Sequence, residues 1–216
     1  MKSILLFDLD GTLTDPEEGI FKSIQYALGS FGIDLTDSKD LGKFIGPPLR
    51  QTFRDVCGFS NDDTEIAMSK FRERYFDKGV YENVMYTGVD VMLKKLTDIG
   101  KMLLIATSKP TVLANTVLSH FNLDMYFTFV SGSELNGIRE SKIEVIQYAL
   151  EQNNIADLSS CIMIGDRKHD ILGAKSIGIE SIGVLYGHGD YDELCEAGAD
   201  HIVKDIDELS ELLQSI

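Results

Sequence analysis

The sequence predicts an α/β protein: a doubly wound parallel sheet with an all-helical segment inserted after the first strand. Three observations carry this. Short apolar runs recur, several without the period-2 alternation of a half-exposed strand, as suits strands buried on both faces. Helix-patterned segments separate most of these runs. Residues 16–83 break the alternation, carrying helical signals and no convincing strand.

The predicted strands are residues 4–7, 102–106, 127–130, 161–164, 181–185 and 201–203. Between them, residues 89–99 place apolar side chains at 89, 91, 92, 93, 96 and 99, with Gly100 as a stop. Residues 141–150 carry Ile143, Val145, Ile146, Ala149 and Leu150 at helical spacing, and residues 170–177 and 206–213 fill the same role further on. In the inserted stretch Asp15 is the expected N-cap, with Pro16 in the first turn and Glu18 three residues after the cap. Ile20, Phe21, Ile24, Ala27, Leu28 and Phe31 form one face, closed by Gly32. Pro47-Pro48 opens a helix carrying Leu49, Phe53 and Val56, and a third helix runs from about 62 to 78 and stops at Gly79. The expected division is therefore 1–15 with 84–216 as one domain and 16–83 as the other.

Composition narrows the function. The chain has 216 residues, 44% of them hydrophobic, enough for a sizeable core. Its 35 acidic against 20 basic residues give a net charge of -15, a field that repels nucleic-acid backbones and anionic membranes. A phosphorylated substrate must then be attracted locally, by a metal, a few cations or helix N-termini. Cys57, Cys161 and Cys195 form no CxxC pair, which argues against a disulfide framework or structural zinc. Cys161 reads as a small buried hydrophobe. The apolar run 4–7 is too short for a signal peptide, and no run approaches membrane-spanning length, so the expected location is cytoplasmic.

In an open parallel sheet, ligands gather beyond the C-terminal ends of the strands. The first strand leads into Asp8-Leu9-Asp10-Gly11-Thr12, the second ends in Thr107-Ser108-Lys109, and the fourth ends in Gly165-Asp166-Arg167-Lys168-His169-Asp170. Lys142 begins the helix leading to that fourth strand. So many converging carboxylates repel one another, and a hard cation such as Mg²⁺ is the natural neutraliser. One of Asp8 and Asp10 can attack an electrophilic phosphorus while the other moves a proton for the leaving alkoxide and then for water. Thr107, Ser108 and Lys142 suit phosphate oxygens.

These motifs, in this order and spread over the whole chain, resemble the haloacid dehalogenase superfamily of Mg²⁺-dependent phosphatases. Asp8-Leu9-Asp10-Gly11-Thr12 matches the first family motif, Leu103-Leu104-Ile105-Ala106-Thr107 the second, and Gly165-Asp166 with Asp170 the fourth. The third, a lysine, falls on Lys142, at a helix start just upstream of the fourth strand. Lys109-Pro110 offers the Lys-Pro dipeptide common at that motif, whereas Lys142 is followed by Ile143, but Lys109 comes only two residues after Thr107. The resemblance implies that Asp8 is the nucleophile and Asp10 the general acid and base. It implies that Asp8, the backbone carbonyl of Asp10 and Asp166 hold Mg²⁺, with Asp170 close by or acting through water. Thr107 and Lys142 would bind the transferring phosphoryl group, and residues 16–83 would be the family's helical cap.

The closest likeness is to phosphoglycolate phosphatase-like and bacterial 5′-nucleotidase-like members. The substrate class implied is a small phosphate monoester such as a nucleoside 5′-monophosphate or phosphoglycolate, handled by a monomer or homodimer. A phosphomutase on the same scaffold and a non-catalytic binding protein are the alternatives. Within the cap, Phe44 to Arg50 is the expected specificity segment, with Leu49 or Arg50 addressing the leaving group, although Arg50 reads equally as a solvated surface residue. Structural readings stand beside the others too: Asp170 as a helix N-cap, Thr107 as the end of a strand, Arg167-Lys168-His169 as a solvated turn, and Tyr75, Phe76 and Tyr81 as cap core.

Overall fold

A computed structural model describes residues 2–35, 41, 44, 49–136 and 138–216. The chain forms two compact units, residues 1–15 with 85–216 and residues 16–84.

The larger unit is built on six parallel strands in the order β5-β4-β1-β6-β7-β8. They are β1 (Ile4–Phe7), β4 (Met102–Pro110), β5 (Phe129–Ser133), β6 (Cys161–Gly165), β7 (Glu180–Val184) and β8 (His201–Val203). From β1 the chain builds outward through β4 to β5, then returns to the other side of β1 and builds through β6 to β8. The order reverses beside β1, and the crevice at such a switch point is where open α/β sheets bind ligands. In register, Leu6 lies between Leu104 and Met163. Those side chains share one apolar cluster with Val145, Ile146, Ala149 and Ala174. The alternate set Leu5, Phe7, Leu103, Ile105, Ile162 and Ile164 is buried as well. Burial on both faces is the physical reason these runs lack alternation. Cys161 lies wholly inside, as a small hydrophobe.

The helices of this unit are α4 (Val89–Asp98), α5 (Thr111–His120), α6 (Lys142–Gln152), α7 (Lys168–Ile177), α8 (Tyr191–Ala197) and α9 (Ile206–Ser215). The start of α6 is held by a reciprocal capping box. The Glu144 backbone N–H donates to Ser141 Oγ at 3.3 Å, and the Ser141 N–H donates to Glu144 Oε2 at 3.1 Å. That box sets where Lys142, the next residue, leaves the helix. Two helices have no counterpart among the sequence expectations, α5 and the short α8. β5 lies two to three residues beyond the expected run, because a 3₁₀ turn at Asp124–Tyr126 takes up the approach.

The smaller unit is helical: α1 (Glu17–Gly29), α2 (Leu49–Cys57) and α3 (Asn61–Arg74), continued by a π-helical turn at Tyr75–Gly79. Phe44, Phe53 and Phe71 are buried in it, with Phe44 and Phe53 rings 5.3 Å apart and Phe71 stacked on Tyr75 at 5.2 Å. Phe76 and Tyr81 are exposed, so only Tyr75 of that aromatic trio serves the core. The N-cap position of α1 falls one residue after the expected Asp15. Pro16 holds the cap position with no side-chain bond, and Asp15 belongs to β2 (Thr14–Asp15), paired with β3 (Val84–Met85) in a two-stranded sheet. The helix also ends at Gly29, three residues before Gly32. The expected opening of α2 at Pro47-Pro48 lies outside the described residues. No helix among the described residues is long and apolar enough to cross a membrane.

Leu6 is fully buried at the centre of the sheet, so Leu6→Ala removes methyl groups from a site that cannot collapse easily. Urea unfolding is expected to show a loss of roughly 2–5 kcal/mol. A loss below about 1 kcal/mol would mean that the core around β1 repacks.

Candidate active site

Asp8 follows β1 directly, and its backbone N–H still donates to Ile164 O of β6 at 2.9 Å. The strand register therefore delivers its carboxylate to the switch point. Asp166 follows β6, and Asp170 lies in the first turn of α7, both almost fully buried. One oxygen from each of Asp8, Asp166 and Asp170 lies within 4.8 Å of the others. The Asp10 carboxylate is not one of this trio.

Lys142 reaches the same point from α6. Its Nζ lies 3.0 Å from Asp8 Oδ1 and 2.8 Å from Asp170 Oδ1, and donates to Ala106 O at 3.1 Å. Burial alone would lower its affinity for a proton. The Asp170 and Asp8 carboxylates outweigh burial and hold the ammonium above its ordinary pKa. Asp170 also accepts the Arg167 backbone N–H at Oδ2, 3.1 Å away, so it braces the helix start while facing the site.

Asp166 accepts the His188 backbone N–H at Oδ2 at 2.9 Å, whereas its Oδ1 is buried with no partner. Gly11, at φ 82°, lets the loop press on this carboxylate; a Cβ there would lie 2.7 Å from Asp166 Oδ1. Burial, then the charges of Asp170 and Asp8, push Asp166 up to about 8. Burial chiefly, with Asp8 adding to it and Lys142 opposing, pushes Asp170 up to about 6. A dication fits this donor set: three hard carboxylates, an orphaned buried oxygen, and charge that Lys142 alone does not neutralise. Asp8, Asp166 and Asp170 are the residues that would hold it.

Thr107 is buried within β4, three residues before its last residue, and its Oγ1 accepts the Lys109 backbone N–H at 3.2 Å. Ser108 is exposed. Lys109, read from its spacing alone as outside the third motif, places a buried ammonium 2.9 and 2.8 Å from the two Asp10 oxygens. Its Lys-Pro dipeptide was the visible signal; the pairing across 99 residues was not. Of the basic trio, Arg167 is anchored to Glu193 at 2.9 Å, and Glu193 also accepts the Lys168 N–H at 2.9 Å. Lys168 and His169 are exposed. His188 Nε2 is 3.7 Å from Asp15 Oδ1, beyond hydrogen-bond reach. In the helical unit, Leu49 is half-buried, and the Arg50 guanidinium pairs with Glu65 at 2.7 Å.

A family model for haloacid dehalogenase-like hydrolases matches residues 5–184. A 5′-nucleotidase from Pseudomonas aeruginosa is 44% identical, over 98% of this chain and 95% of that protein. Tyrosine-protein kinase PtkA from Mycobacterium tuberculosis is 33% identical, over 97% of this chain and 72% of that protein. The crystal structure of a predicted phosphatase from Clostridium acetobutylicum superposes with a TM-score of 0.93 at 44% identity, covering 100% of both chains.

Raised carboxylates give this site a pH signature. Without a dication, the folded protein keeps protons on Asp166 and Asp170 that the unfolded chain sheds near pH 4. The folded state then binds more protons, so this contribution to stability is full below about pH 4 and is lost as pH rises towards about 8. Mg²⁺ bound only to the folded state opposes that loss. The gap between melting temperatures in Mg²⁺ and in EDTA is expected to widen from pH 5 to pH 8, and to shrink in Asp166→Asn. A gap independent of pH would remove these carboxylates as the metal site.

Proposed function

The chain belongs to the haloacid dehalogenase-like hydrolases, and within that family we propose that it is a Mg²⁺-dependent phosphatase acting through an aspartyl phosphate. The substrate is a small monoester, a nucleoside 5′-monophosphate or phosphoglycolate. The observation that carries this reading is Asp8: a buried carboxylate at the switch point, 3.0 Å from the Lys142 ammonium and grouped with Asp166 and Asp170. The first of the substrate classes is supported by the 44% likeness to a protein named 5′-nucleotidase.

In the first half-reaction an Asp8 carboxylate oxygen attacks phosphorus, the bond from phosphorus to the ester oxygen breaks, and the Asp10 carboxyl gives its proton to the leaving alkoxide. Lys142 and Thr107 hold the phosphoryl oxygens, the first as a point charge and the second as a hydrogen-bond donor. In the second half-reaction Asp10 takes a proton from water as the water oxygen attacks phosphorus and frees Asp8. Mg²⁺, when bound by the trio, supplies the charge that lets a dianion approach three carboxylates. We assign to the helical unit the role of cap, with Leu49 and Arg50 selecting the leaving group.

Phosphate release from a panel of metabolites in Mg²⁺ tests the reading. Asp8→Asn is expected to lose on the order of 1,000-fold or more in turnover while remaining folded, because an amide keeps the shape but is no nucleophile. Substantial steady-state activity in that variant would sink the assignment. Arg50→Ala and Leu49→Ala are expected to change the ranking of kcat/KM among metabolites. Equal losses on every substrate would point to damage in the helical unit instead.

A further inference from the structure

We propose that Lys109 is a positioning residue, its buried ammonium gripping both oxygens of Asp10 so that this carboxyl is aimed at the leaving-group oxygen. The proposal rests on the acid–base role given to Asp10 above.

The Lys109 side chain is 4% exposed, and its Nζ lies 2.9 Å from Asp10 Oδ1 and 2.8 Å from Oδ2. An ammonium so deeply buried is costly unless paired, and the pair fixes the rotamers of both partners. Asp10 keeps 27% of its side chain exposed, so the gripped residue is not sealed from solvent. Asp8 and Asp10 are two residues apart, yet each faces its own cation: Lys142 for Asp8 and Lys109 for Asp10. The nucleophile and the acid are thereby kept from sharing one charge.

The backbone around Lys109 is built for a fixed position. Its N–H donates to Thr107 Oγ1, and the β4–β5 register shifts between Ala106 and Pro110, where Lys109 lies. β5 passes so close that a Cβ on Gly132 would meet the Lys109 carbonyl and lie 2.8 Å from the Thr111 nitrogen. A single residue thus ties Asp10 to the stretch of β4 that carries Thr107.

The experiment compares single-turnover phosphoryl transfer from an alkyl phosphate and from p-nitrophenyl phosphate, in Mg²⁺, for the wild type, Lys109→Met, Lys109→Arg, Asp10→Asn and the Lys109→Met/Asp10→Asn double variant. Alkoxide needs a proton to leave and p-nitrophenolate needs little. Lys109→Met is expected to lose about 10- to 100-fold on the alkyl ester, part of the range open to general acid catalysis, and less than about threefold on the aryl ester. The double variant should lose little beyond Asp10→Asn alone, and Lys109→Arg should recover most of the alkyl rate. Lys109→Gln takes the place of Lys109→Met if circular dichroism shows that the methionine variant does not fold.

Equal losses on both esters, or losses that multiply in the double variant, would overturn the proposal. So would a loss confined to substrates with a second anionic group, which would make Lys109 a substrate contact. If Asp10→Asn discriminates between the esters and Lys109→Met does not, only the positioning role falls. If Asp10→Asn itself does not discriminate, the acid assignment falls and takes this proposal with it.

Discussion

The structure turns on the cost of placing like charges together away from water. Asp8, Asp166 and Asp170 approach within 4.8 Å, and the Lys142 ammonium is buried against two of them. Each charge taken alone would be expelled or neutralised, at a penalty of several kcal/mol. Lys142 is also in an awkward place for a cation, at the first position of α6, where the helix dipole is positive. The carboxylates of Asp170 and Asp8 outweigh its burial and raise its affinity for a proton. The capping box at Ser141 and Glu144 and the packing of α6 into the sheet core hold it where those carboxylates can do so.

Topology supplies the other half of that arrangement. Because β1 lies between β4 and β6, the loops after three neighbouring parallel strands open on one edge. Asp8 and Asp166 therefore meet although they are separated by 158 positions in the chain. The helix following β6 adds Asp170, and the helix preceding it adds Lys142. Close backbone approach completes the cradle, with the Gly11 loop and the His188 N–H against Asp166. One carboxylate oxygen, Asp166 Oδ1, has no hydrogen-bond partner there, and a bound cation would satisfy it.

In the proposed mechanism, the separation of Asp8 from Asp10 would give the two halves of the chemistry different surroundings. Asp8 lies with the trio and the Lys142 ammonium. Asp10 turns towards Lys109 and keeps part of its side chain exposed. Two identical side chains, two residues apart, acquire different partners because the chain bends at Leu9 between them and because β4 carries Lys109 beside Asp10. Such division of environment is how one pair of carboxylates can do both nucleophilic and proton-transfer work.

Much of this was legible in the residue order. Doubly buried strands reveal themselves as unbroken apolar runs, helices as 3.6-residue periodicity, and the site as carboxylates stationed just past strand ends. Asp8, Asp166, Asp170 and Lys142 were each readable because their chemistry is tied to a local boundary, a strand end or a helix start. Tertiary structure alone decided what depends on distant partners. Asp15 looked like a helix cap, yet β pairing claimed its backbone. Arg50 was compatible with substrate contact or with solvent, and it is held by Glu65. Lys109 was set aside on spacing, and its ammonium meets Asp10 across 99 residues. Periodicity and capping are local, so sequence carries them; the pairing of buried charges depends on which strands become neighbours, and only the folded sheet settles that.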